Sequence, residues 1–271
     1  MDLSDTEIEE LRRVAAACAD AAAVETLKWF RASGLRADDK DAAGGFDPVT
    51  EGDRAAEAAM RRVLVEARPD DAILGEEEGF VAGTSGLTWV LDPIDGTRGY
   101  VAGTPTWGTL IAVGGTGGPL FGIVDQPYIG ERFEGGFGSA RFSGPHSSGP
   151  LATSKVKALS DAVLFTTFPE VGTEAERAAF EAVARQVKLT RYGMDCYAYA
   201  LVAAGHADLV IEAGLQAYDI QGPMAVVQAA GGVVTNWEGG PVHEGGRAIA
   251  AATPELHRAA LAMIKEAGGG V

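Results

Sequence analysis

Nine residues constrain this chain most: Trp89-Val90-Leu91-Asp92-Pro93-Ile94-Asp95-Gly96-Thr97. A hydrophobic strand runs straight into two carboxylates, then a glycine and a hydroxyl. Acids at the end of a buried strand are costly unless positive charge sits on them. A hard divalent cation such as Mg²⁺ suits them, because it takes oxygen ligands. Pro93 stiffens the turn between the acids, and Gly96 lets backbone approach a ligand closely.

The chain has 271 residues, 46% of them hydrophobic, enough for one large domain or two small ones with an ample core. Its net charge of −16 argues against a nucleic-acid partner, which would need a basic face. No apolar run is long enough to span a bilayer, so no membrane partner is expected. The start, Met1 to Glu7, is acidic and polar and lacks the pattern of a secretory signal. Cys18 and Cys196 stand in apolar helical contexts and read as buried thiols of a cytoplasmic protein.

Helical spacing of Ile8, Leu11, Val14, Cys18, Ala21 and Ala22 predicts a helix to about Phe30. A polar loop, Ala37 to Asp47, leads to a second helix from about Thr50 to about Ala67. Its apolar side is expected at Ala55, Ala59, Met60, Val63 and Leu64. Strands are then expected at 72–74, 87–91, 106–113, 119–124 and 132–135, separated by glycine-rich turns. Phe142 to Pro150, rich in Ser, Gly and Pro, reads as a linker or turn. Beyond it strands alternate with helices: strands at 163–166, 189–191, 207–211, 233–235 and 248–251, helices at 173–186, 197–204 and 220–230. Thr253-Pro254-Glu255 opens a last helix. The chain thus divides into an α+β half, residues 1–145, and an α/β half, residues 146–271.

Four segments present acids where α/β folds place their sites: Asp53, the run Glu76–Glu78, the Asp92 and Asp95 pair, and Asp219. Most have a second reading. Asp53 completes a capping box with Thr50, Asp219 suits a helix N-cap, and Glu76–Glu78 suits a solvated turn. Hydrolysis of a phosphate monoester is among the slowest uncatalysed reactions, and carboxylate-held Mg²⁺ is one solution to it. Gly96-Thr97 is placed to offer free N–H groups to phosphate if a helical turn begins there.

These segments, with Gly75-Glu76-Glu77, Pro48 to Asp53, and Tyr218-Asp219-Ile220 before Ala229-Ala230-Gly231-Gly232, resemble the inositol monophosphatase superfamily across nearly the whole chain. The resemblance implies a layered αβαβα sandwich, a homodimer, and two to three Mg²⁺ per site. It implies Glu76, Asp92 and the carbonyl of Ile94 as ligands of one metal, and Asp92, Asp95 and Asp219 as ligands of a second. Glu76 would also touch a third, weaker metal. Asp53 and Thr97 match the pair that activates the attacking water, and Gly96 and Thr97, beside Asp95, would bind phosphate. No covalent phospho-enzyme is implied. The two residues between Asp92 and Asp95 also set the segment apart from haloacid dehalogenase phosphatases, whose acids are separated by one. Within the superfamily, Thr106 to Ala112, Asp125-Gln126-Pro127, and Asp195 to Tyr199 leading to Asp208–Leu215 look like the histidinol-phosphate phosphatase branch. Glu212 and Asp195 would then bind the substrate's ammonium and imidazole. Inositol phosphate or another sugar, polyol or nucleotide phosphate is the alternative substrate. Tyr197 and Tyr199 are expected to pack. The chain departs from the pattern at Gly52, at Asp47 with the long loop from Lys40, at Gly99-Tyr100 and at Gln221-Gly222-Pro223. Pro223 is expected in a first helical turn, where proline is tolerated.

Overall fold

The computed structural model describes residues 3–35, 37–39 and 48–268. Along the chain run α1 (Asp5–Trp29), β1 (Ala37–Asp39), β2 (Pro48–Thr50), α2 (Glu51–Ala67), β3 (Ala72–Gly75), β4 (Gly79–Val81), β5 (Thr88–Asp95) and α3 (Thr97–Ala102). Then come β6 (Gly108–Gly115), β7 (Gly118–Gln126), β8 (Glu131–Gly136), β9 (Ser139–Ser143), β10 (Ser148–Pro150), β11 (Val163–Thr166), α4 (Glu174–Ala184), β12 (Leu189–Tyr192) and α5 (Cys196–Ala203). The last elements are β13 (Leu209–Leu215), α6 (Ala217–Ala229), β14 (Val233–Thr235), β15 (Gly246–Ala251) and α7 (Pro254–Glu266).

Side-chain alternation explains the layers. On the eight-stranded sheet, ordered β10-β9-β8-β7-β6-β5-β3-β4, Trp89, Leu91, Ile111, Val113 and Ile123 pack against Leu11, Val14, Cys18 and Met60 of α1 and α2. The intervening Leu110 and Val124 face the other way, into a core shared with Val202 of α5 and Ile220 and Val226 of α6. The five-stranded sheet, ordered β12-β11-β13-β15-β14, repeats the pattern. Val210 and Ala250 face α5 and α6, while Leu209, Ile211 and Ile249 face Phe180 of α4 and Leu256 and Ile264 of α7. The result is the expected αβαβα sandwich.

Helix α6 lies between the sheets and is buried on nearly every side from Ile220 to Val227. Two glycines let it come that close. A Cβ at Gly122 would lie 2.5 Å from the carbonyl of Gly222, and one at Gly135 would lie 2.4 Å from Cα of Val226. This seats the N-terminus of α6, and with it Asp219, beside the end of β5.

Several expectations need correction. Residues 37–39 are not loop but the strand β1, antiparallel to β2. The long loop from Lys40 to Asp47 lies outside the described residues. Of the two readings of Phe142 to Pro150, the structure has the turn and not the linker: β9 and β10 form an antiparallel hairpin at the sheet edge, where proline needs no ladder partner. The short strand β4 was not expected at all. The buried face of α2 is rotated from the expected one. Ala55 and Val63 are half-buried, whereas Ala56, Glu57 and Arg61 are buried. Helix α6 starts at Ala217, three residues early, which places Pro223 inside the helix rather than in its first turn. Among the described residues, no helix is long and apolar enough to cross a membrane.

Candidate active site

The acids of β5 meet because the strand is irregular. In a regular strand, residues three apart point to opposite faces, so Asp92 and Asp95 would be separated by the sheet. Instead Asp92 pairs with Leu110 and Asp95 with Gly108: three steps on β5 against two on β6. This bulge turns both acids toward α5 and α6. It is pinned twice. The Thr109 hydroxyl donates to the carbonyl of Pro93 (2.8 Å), and the Ile94 N–H donates to Asp92 Oδ1 (3.0 Å).

Asp219 joins them from α6. It is not the N-cap: Gln216 holds that position, and its N–H donates to Asp219 Oδ2 at 2.6 Å. Asp92, Asp95 and Asp219 each bring a carboxylate oxygen within 4.8 Å of the others. Glu76, on the turn after β3, interacts with Asp92. Asp95 Oδ2 accepts from the Cys196 N–H at the start of α5 (2.6 Å).

The electrostatics follow from this crowding. Burial pushes the Asp92 carboxyl well above the usual carboxylate range, and Glu76, Asp95 and Asp219 push it further. Asp95 is raised by burial, then by Asp195 and Asp219. At an effective dielectric of about 20, two unit charges this close repel by about 3 kcal/mol. Such a set is relieved by protonation or by a cation, and an all-oxygen donor set fits a hard divalent ion.

The four acids line a cleft of about 280 Å³, together with Ile94, Gly96, Thr97, Arg98, Thr167, Phe168, Asp195 and Glu212. Gly96 caps α3 in the left-handed region, φ 83°. A Cβ there would lie 2.8 Å from Cγ of Asp195. Asp195 itself has φ 48°, a strained conformation for a non-glycine residue. Burial raises its carboxyl to about 6, opposed by Arg98. Glu212 Oε1 accepts from the N–H (2.8 Å) and hydroxyl (2.9 Å) of Thr167, and burial raises its carboxyl to about 7 against those bonds. Arg98 stacks over the ring of Phe168 at 4.8 Å.

Asp53 is not among the residues lining the cleft. Its Oδ2 accepts from the N–H (2.8 Å) and hydroxyl (2.6 Å) of Thr50, the capping box of α2. Its Oδ1 is buried without a hydrogen-bond partner among the described residues, and burial raises the carboxyl to about 7. The Thr97 hydroxyl donates to the carbonyl of Ile94 (3.0 Å). The two residues expected as a water-activating pair are therefore each engaged locally. Tyr197 donates to Glu131 (2.6 Å) and lines a separate depression, and Tyr199 is buried, so both pack. Sequence reasoning did not single out Thr167, Arg98 or Phe168. Arg98 carried a signal, a cation directly after the acid-rich segment.

The raised carboxyls give a test. In the folded chain Asp53, Asp195 and Glu212 bind protons more tightly than an unfolded chain would. Stability therefore falls as pH rises from about 4 to about 7. With chelator present, the melting temperature should be higher at about pH 5.5 than at about pH 8. A divalent cation should narrow the gap. Equal melting temperatures at both pH values would contradict this account of the buried acids.

Comparison with known proteins places the chain among relatives. The sequence model of the family described as "Inositol monophosphatase family" matches residues 7–269. The chain is 37% identical over 276 residues to the bifunctional phosphatase IMPL2, chloroplastic, of Arabidopsis thaliana, covering 97% of this chain and 78% of that protein. It is 37% identical over 264 residues to a histidinol-phosphatase of Streptomyces coelicolor, covering 94% and 96%. Among solved structures, an inositol monophosphatase from Zymomonas mobilis superposes with a TM-score of 0.84 at 36% identity, covering 97% of this chain and 100% of that one.

Proposed function

We infer the substrate from one premise: this chain belongs to the inositol monophosphatase family and is a phosphatase of that family. The proposed reaction is Mg²⁺-dependent hydrolysis of L-histidinol phosphate to L-histidinol and phosphate, a step of histidine biosynthesis. Glu76, Asp92, Asp95, Asp219 and the carbonyl of Ile94 would hold the metal. Bound there, Mg²⁺ neutralises phosphate charge and lowers the pKa of water. The N–H groups of Gly96 and Thr97 receive phosphate oxygens. Asp53 and Thr97 orient the attacking water, which requires the Thr97 hydroxyl to leave the Ile94 carbonyl. We take the working form to be a homodimer, for which light scattering should read about twice the 28.0 kDa of one chain.

One observation carries the substrate reading. The cleft that gathers the metal-ligand acids also contains two further carboxylates, the buried Glu212 and the half-buried Asp195. They suit an alcohol portion bearing an ammonium and an imidazole. The similarity to histidinol-phosphatases agrees with this. Hydrolysis of inositol phosphate is the second reading, favoured by the likeness to the Zymomonas structure.

Glu212→Gln separates them. A charge-assisted hydrogen bond contributes about 1.5–3 kcal/mol, so KM for histidinol phosphate should rise about 10-fold or more, with kcat within a few-fold. KM for inositol 1-phosphate should change little, because an amide oxygen still accepts from a hydroxyl. Unchanged KM and kcat for histidinol phosphate would remove Glu212 from the substrate site.

A further inference from the structure

Glu57 does not line the cleft, yet its carboxylate lies fully buried against the turn that carries Glu76. Its oxygens accept from two successive backbone N–H groups, Glu77 (2.7 Å to Oε2) and Glu78 (3.0 Å to Oε1). Arg61, one helical turn further along α2, pairs with Oε1 at 2.8 Å. A second guanidinium nitrogen of Arg61 donates to the carbonyl of Gly79 at 2.6 Å. Gly75 completes the grip from the other side, since a Cβ there would lie 2.1 Å from Glu57 Oε1. The three residues after Glu76 are thus bonded to this one pair, and the residue before it lies close against Glu57. The backbone of Glu76 itself is tied to β5, its N–H donating to the carbonyl of Leu91 at 3.2 Å.

A buried ion pair is a poor way to stabilise a helix against a sheet, because desolvation offsets most of the attraction. Apolar residues of similar volume would pack as well. They could not accept two N–H groups and bind a carbonyl, which is what shapes this turn. We propose that Glu57 and Arg61 are positioning residues for Glu76, presetting the turn so that its carboxylate stands against Asp92 before a cation arrives. This rests on the reading of Glu76 as a metal ligand. Ligands fixed in advance lose less freedom on binding, and loss of a group that orients a ligand typically costs about 10- to 100-fold in metal affinity.

The test is Mg²⁺ binding by titration calorimetry on the full chain, with no substrate present. Glu57→Gln keeps the shape, yet its amide NH₂ must face either the Glu77 N–H or both the Glu78 N–H and the Arg61 guanidinium. It should fold by circular dichroism and bind Mg²⁺ about 10- to 100-fold more weakly. Arg61→Lys, which keeps the charge and loses the fork, should show a smaller loss in the same direction. At saturating Mg²⁺, KM for the phosphate ester should stay near wild type, since the turn does not hold the substrate. A folded Glu57→Gln with wild-type Mg²⁺ affinity overturns the proposal. If that variant does not fold, amide exchange in the metal-free wild type decides. Protection of the Glu77 and Glu78 amides supports the preset turn, and exchange at free-peptide rates overturns it. Glu76→Gln separates the premise from the inference: undiminished Mg²⁺ affinity there would mean that Glu76 is no ligand.

Discussion

Asp92→Asn is expected to lower kcat by about 10³-fold or more while leaving the fold intact. Asp92 is 2% exposed and its carboxylate is the one that both Glu76 and the Asp95/Asp219 pair approach. In the proposed site it would be one of the acids that hold the metal. A neutral amide of the same shape ligates a hard cation far less well, and the loss falls on charge stabilisation in the transition state. Stability should move the other way. Burial and three neighbouring acids all disfavour the ionised form, so removing its charge relieves repulsion in the metal-free protein. The metal-free variant should melt at or above the wild-type temperature near neutral pH. Near-normal turnover would sink the ligand assignment, and a collapsed melting temperature would show that Asp92 serves the fold instead.

Gly96→Ala is the second large effect, and its cause is steric. The glycine occupies φ 83°, where an alanine costs about 1–3 kcal/mol. The added methyl would also lie 2.8 Å from Cγ of Asp195, which is itself strained at φ 48°. Relief requires the 96–97 backbone or Asp195 to shift. Either movement disturbs the cleft, because Asp95 precedes Gly96 and is held by the N–H of Cys196. A displacement of about 1 Å costs about 10²-fold in rate, so kcat/KM should fall by roughly that factor, with a melting temperature several degrees lower. Crystallography of the variant would show whether Asp195 has moved. Wild-type kcat/KM would mean that the turn tolerates the change and does not hold phosphate.

The layered fold was legible because its patterns are strong. Both faces of β6, β7, β13 and β15 are covered, so these strands read as nearly continuous apolar runs, and glycine turns mark their ends. The central strand was cut short at Leu91 because Asp and Pro disfavour strands, whereas the ladder runs to Asp95 through a bulge. The acids were therefore found, but not the device that turns them to one face. The expected apolar side of α2 missed Glu57 and Arg61 for a related reason. A charged pair four residues apart reads as a solvated helix face, and only tertiary contact with the 76–79 turn shows that it is inside. The start of α6 was displaced because Tyr218 and Asp219 resemble a cap, while the reciprocal bond between Gln216 and Asp219 begins the helix earlier. The reading of Glu212 and Asp195 as proposed substrate contacts came from resemblance; their spacing in sequence carried no sign that they share a cleft with Asp92.

The most direct measurement is phosphate release by the purified chain with Mg²⁺ from histidinol phosphate, inositol 1-phosphate and 3′-phosphoadenosine 5′-phosphate, each repeated with excess chelator. The account predicts release that chelator abolishes, with kcat/KM highest for histidinol phosphate. A higher kcat/KM for inositol 1-phosphate would contradict the substrate reading, and release that persists in chelator would contradict the metal-dependent mechanism itself.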